Sequence, residues 1–184
     1  MLWAKALIAV VVFLVGLVIF ISCSRLLGPL RRLTLIFSFT LQTCLLLAAA
    51  LLVQQEAVSP RSGQQEPIDW LQVLAISMIA FQAAGQLVAS RFLAFSEIPT
   101  VVLTALVCDL LLDKQLYQRP WSANPKRNRR IGALVAHFFG AMAAGGMAKE
   151  TGLAGGLWLA MAIKGGITVV WFGWSAKPMQ LEKQ

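Results

Sequence analysis

The residues best placed to do chemistry lie in a short tract, SEIPTVVLTALVCDLL, residues 96–111. On a helix turning about 100° per residue, Glu97, Thr100, Thr104 and Cys108 share one face, and Asp109 points about 120° away. A carboxyl group in an apolar site has its pKa raised toward neutrality, which suits it to hold a proton, an ion or a substrate, or to act as a general acid. Pro99 lacks an N–H and fits a first helical turn, with Ser96 as N-cap, so free backbone donors would lie beside Glu97. A competing reading puts Glu97 and Asp109 at two membrane interfaces, hydrated, because an acid at the bilayer centre costs at least ~2.5 kcal/mol.

Three further polar groups interrupt apolar sequence. Gln82 and Gln86 lie one helical turn apart with Gly85 between them; they suit interhelical hydrogen bonding, or the wall of a cavity shared with the Glu97 stripe. Lys164 is the one base deep within an apolar run and must snorkel, pair with an acid such as Asp109 or Glu97, or face water. His137 shares a helix face with Gly140, Ala141, Ala144 and Ala148, a groove of small residues that lets another helix, or a second copy of the chain, come close. It is the only histidine, with no second His, Cys or carboxylate at ligand spacing, so no metal or other cofactor is expected; it reads as a buried polar residue or a proton carrier.

The elements that must position these groups are long and apolar. With 58% hydrophobic and 13% charged residues and a mean hydropathy of +0.73, the chain has more apolar surface than a small globule can hide. Five runs, 6–23, 33–53, 70–88, 131–147 and 153–174, approach the ~20 residues of a spanning helix. None alternates as a barrel strand would. The expected fold is therefore all-α: a polytopic transmembrane bundle of five long helices plus a short broken or re-entrant segment. The first run exceeds a signal-peptide core and is read as a retained helix. Cys23, Cys44 and Cys108 have no metal or disulfide spacing and are read as packing residues. The net charge of +8 sits mainly in connections, so nucleic acid is not the expected partner. The run NPKRNRR, 124–130, with Lys126, Arg127, Arg129 and Arg130, is read as an anchor on anionic lipid headgroups or a contact for a phosphorylated ligand. Trp3, Trp70, Trp121, Trp171 and Trp174 lie near run ends, as an aromatic belt would place them.

A shift of 124 positions sets Phe13, Leu14, Val15 and Gly16 on His137, Phe138, Phe139 and Gly140, Arg25 on Lys149, and Gly28 on Gly152. The expectation is a single membrane domain over 1–184 holding an internal repeat: a hairpin over 6–53, and a second copy over 70–177 made of a broken helix, 70–112, and a hairpin, 131–174. The first copy then lacks its opening element. If 70–112 crosses once, Arg25, Arg31, Arg32, the six bases of 113–130, Lys177 and Lys183 gather on one side, leaving Lys5, Arg61 and Lys149 opposite. The positive-inside rule favours that single passage, which sets the copies in opposite orientations, as in secondary transporters with midplane sites at broken helices.

From Glu97 to Gly146, EIPTVVLT, Asp109, Leu110, NPKRNRR and the cluster Gly140, Gly145, Gly146 closely resemble the fungal branch of the YoaK-like membrane proteins, whose domain has no assigned function. The resemblance implies an integral membrane protein of transporter-like symmetry, with an added N-terminal element carrying an Asn/Thr/Gly-rich break that this sequence lacks. It implies no reaction.

The leading functional expectation is binding or transport of a small molecule by the 97–109 segment with Gln82, Gln86 and Lys164, in preference to catalysis. The alternatives are a membrane-embedded enzyme of a lipophilic biosynthetic pathway, with Glu97 or Asp109 as general acid, and a non-catalytic scaffold using the glycine-rich helix faces.

Overall fold

A computed structural model describes residues 2–28, 30–55, 69–93, 103–117 and 119–173. Six α-helices follow in order: α1 (Leu2–Leu27), α2 (Arg32–Gln54), α3 (Trp70–Phe92), α4 (Leu103–Leu111), α5 (Pro125–Thr151) and α6 (Leu153–Gly173). Five of them, all but α4, are long and apolar enough to cross a bilayer. Hydrocarbon offers no hydrogen-bond partner, so a helix that satisfies its own backbone is what such sequences can form there. The all-helical expectation and its five long helices stand.

Local signals set the boundaries. Asp69 caps α3, its Oδ1 accepting from the Leu71 N–H at 3.0 Å and the Gln72 N–H at 3.3 Å. Asn124 caps α5 by accepting from the Arg127 N–H at 3.0 Å, with Pro125 in the first turn. The basic run thus rides on the opening turns of α5 rather than on a loop. Gly28 (φ 90°) ends α1, and Gly152 (φ 71°) joins α5 to α6; both need a left-handed backbone that glycine adopts without strain. The 124-residue shift superimposes this pair.

Side by side the five long helices stand in the order α1, α3, α2, α6, α5, so α3 is wedged between α1 and α2, and among the described elements α4 packs on α5 alone. The wedge depends on Gly85. A Cβ there would lie 2.6 Å from Phe20 Cζ on α1 and 2.9 Å from Gln42 Nε2 on α2. Phe20 stacks at an angle on Phe81, ring centroids 5.2 Å apart, and Ala49, Ala50 and Ala84 are fully buried nearby. On α1 and α5, by contrast, side chains such as Val18 and Phe138 are about two-thirds exposed, the outer surface that lipid would cover.

Cross-links fix the helix directions. Lys5 on α1 donates to Gln72 Oε1 at the start of α3, and Gly16 faces Ala84, so α1 and α3 are parallel. Arg32 donates to the Phe172 carbonyl, Thr43 Oγ1 meets Thr168 Oγ1 at 3.0 Å, and Trp158 Nε1 donates to Gln54 Oε1 at 2.8 Å, so α2 and α6 are antiparallel. Because α5 folds back on α6 at Gly152, α3 ends and α5 begins at the same end of the bundle. The connection holding α4 leaves and returns on one side. The described helix α4 has nine residues, roughly 13.5 Å, less than half the hydrocarbon thickness of ~30 Å. Glu97, Thr100, Pro99 and Ser96 lie outside the described residues.

The wedge yields a first prediction. Gly85→Ala overpacks the α1–α3–α2 contact and should destabilise the bundle by about 1–3 kcal/mol, read as a lower midpoint of thermal unfolding in detergent. Gly140→Ala, where a Cβ meets nothing within 4 Å, should leave that midpoint unchanged or raise it. Equal effects at the two sites would refute the wedge.

Candidate functional site

α3 and α6 do not pack on each other; each leans on α2, and the gap between them is a cleft of about 760 Å³. Phe39 and Leu46 of α2 form its back wall. Ile79, Gln82, Gln86, Ala89, Ser90 and Leu93 of α3 face Leu157, Ala160, Ile163, Lys164 and Ile167 of α6 across it.

One side chain bridges the gap. Lys164, near the middle of α6 and only 7% exposed, donates from Nζ to Gln82 Oε1 at 2.7 Å and to Gln86 Oε1 at 3.0 Å. The i, i+4 spacing of the glutamines puts both amides on one face of α3, where a single ammonium can reach them. Lys164 is steadied on its own helix by Thr168, whose hydroxyl donates to the Lys164 carbonyl at 2.9 Å and meets Thr43 of α2. Three of the groups singled out in the sequence, Gln82, Gln86 and Lys164, therefore converge on one site.

The others do not join them. Lys164 has no carboxylate partner among the described residues, so pairing with Asp109 is corrected: Asp109 and Thr104 are exposed on α4, which among the described helices packs only on α5. The cause is helix order, since α5 and α6 stand between α4 and the cleft. His137 is exposed on α5, its Nδ1 3.0 Å from the Ala133 carbonyl, rather than buried. No cluster of metal-ligating side chains exists among the described residues.

A polar group the sequence reading passed over is Gln42, which is fully buried. Its Nε2 donates to Ser38 Oγ at 3.0 Å, while its Oε1 has no partner among the described residues. The i, i+4 spacing of Ser38 and Gln42 in α2 was the signal that would have found it. Gln42 sits beside Gly85, next to the α3 wall of the cleft.

The basic run also divides. Arg127 is 2% exposed and cannot be a headgroup contact. Its guanidinium donates to the carbonyls of Leu116 at 2.9 Å and Trp121 at 3.0 Å and to Asn128 Oδ1, and lies 4.7 Å from the Trp121 ring centroid. Its fork of donors gathers the 113–130 segment around itself. Arg130 lies 3.6 Å from Asp113, whose other bonds run to the Gln115 N–H and the Asn124 amide. Lys126 and Arg129 remain on the surface.

Asp113 reports on this knot. The Gln115 N–H, then the Asn124 amide, then the charges of Arg130 and Arg127 hold its pKa below the ordinary value of 3.8. A depressed carboxylate pKa contributes stability that is complete above the unfolded value and lost as pH falls through the lower folded value. Amide protection factors over 113–130, corrected for the intrinsic exchange rate, should thus fall below about pH 4 in the wild type, and Asp113→Asn should show low protection already at neutral pH. A flat pH response in the wild type would show that Asp113 does not hold the segment.

No curated protein and no solved structure matches the chain. The family described as "Protein of unknown function (DUF1275)" matches residues 1–170. The chain, all-helical with five helices fit to span a bilayer, belongs to that family.

Proposed function

We propose that this chain is a multi-pass membrane protein that binds a small molecule in the cleft between α3 and α6 and moves it across the bilayer. The observation carrying this reading is Lys164, an ammonium at mid-height of a spanning helix that reaches over the cleft to two amides. A charge within the hydrocarbon layer is costly, and such groups mark substrate pathways. The cleft volume, about 760 Å³, falls among those of small-molecule sites.

Helix directions support the same reading. Arg25, Arg31, Arg32, Arg91 and the bases of 114–130 collect at one end of the bundle, and Lys5 and Lys149 at the other. In a membrane the richer end is the cytoplasmic one, and Lys126 and Arg129 would there meet anionic headgroups. The resemblance over 97–146 to the YoaK-like proteins is consistent with this reading, and the matched hairpin glycines favour an inverted repeat, a frame in which midplane sites are common.

A binding cleft must admit water, whereas a lipid-filled groove does not. In a chain with Cys23, Cys44 and Cys108 replaced by Ala, Ala160→Cys should react with a small hydrophilic thiol reagent on the order of tenfold faster than Val18→Cys on the outer face of α1, because the thiolate that reacts needs water. Equal, slow labelling of the two would defeat this reading.

A further inference from the structure

Resting on that cleft, we infer that its ligand is an amphipathic anion: one anionic head held by Lys164, Gln82 and Gln86, and an apolar body lying along α2 and α6. An ammonium can only donate, so both amides must turn their oxygens to it. Their Nε2 groups are then left as donors, and neither has a partner among the described residues. Lys164 spends two of its three N–H bonds on the glutamines, and the third has no partner there either. Donors surround the head position, and no carboxylate lines the cleft among the described residues.

The charge balance points the same way. Among the described residues the ammonium is held by neutral dipoles, which leave its charge undercompensated, and an anion is the partner that completes it. A cationic ligand would be repelled, and a polyol would find apolar wall over most of its length. Apart from Ser90, the rest of the lining is apolar, and Phe39, Leu46, Ile79, Leu157, Ile163 and Ile167 suit hydrocarbon. The head can belong to a free lipophilic acid or to an anionic lipid of the bilayer; the recognition chemistry is shared.

The test is a titration of the full chain, in phosphatidylcholine nanodiscs, with a fluorescent long-chain fatty acid and with the alcohol of the same tail. The acid should bind at least about tenfold more tightly than the alcohol, the loss expected when a charge-assisted hydrogen bond is missing. Lys164→Met should erase that difference and Lys164→Arg should keep most of it, with helicity and monodispersity checked for both. Repeating the titration with phosphatidylglycerol in the disc separates the sources. Weakened acid binding there, seen in the wild type and not in Lys164→Met, identifies lipid as the occupant, and unchanged affinity identifies a free acid.

Acid and alcohol binding equally, both lost in Ala160→Trp, would overturn the anion assignment and leave the cleft standing. Binding indifferent to Ala160→Trp would overturn the cleft as well. Failure of the acid to bind in either lipid would overturn the inference outright.

Discussion

A lysine ammonium cannot be left bare in an apolar bundle, and the arrangement of α2, α3 and α6 answers that constraint at Lys164. The two carbonyl oxygens that receive it come from a helix whose backbone does not pack on that of α6. If α3 were shifted along its axis by a turn, the amides would miss the ammonium; if α6 were packed directly on α3, no cleft would exist. The bond geometry and the separation of the two helices therefore have to be held together, and α2 does this by serving as a common wall. Its ties to α6 at Arg32, Thr43 and Gln54 run the length of the helix pair. On its other side it closes on α3 where Gly85 removes the side chain that would keep them apart.

This division of labour explains where the bundle is dense and where it is open. The α1–α3–α2 side interlocks through glycine, alanine and the Phe20–Phe81 contact. The α6–α5 side carries glycines with nothing near them and large apolar side chains turned outward. Between hydrocarbon-covered helices there is no hydrophobic gain to draw them together, so close approach of backbones and interhelical hydrogen bonds decide which pairs form. The cleft lies at the border of the two halves.

Outside the spans, the 113–130 segment shows the opposite economy. Arg127 satisfies several carbonyls with one guanidinium, and Asp113 ties the segment to Asn124 and Arg130. A cation that would read as a lipid anchor is thereby used as an internal fastener, which its planar fork suits and a lysine's point charge would not.

Length and hydropathy alone determined that the chain is helical and that five of its helices are long and apolar enough to cross a bilayer. The polar exceptions Gln82, Gln86 and Lys164 were also visible, because an interruption of an apolar run is a local feature. Which exceptions meet was decided by the tertiary structure. Asp109 and Lys164 lie on elements separated by the order α6, α5, α4, and no window of sequence encodes that order. Lipid and protein interior are equally apolar, so periodicity cannot tell the helix face that meets a neighbour from the face that meets hydrocarbon. His137 on the outside and Gln42 in the core were assigned only by packing.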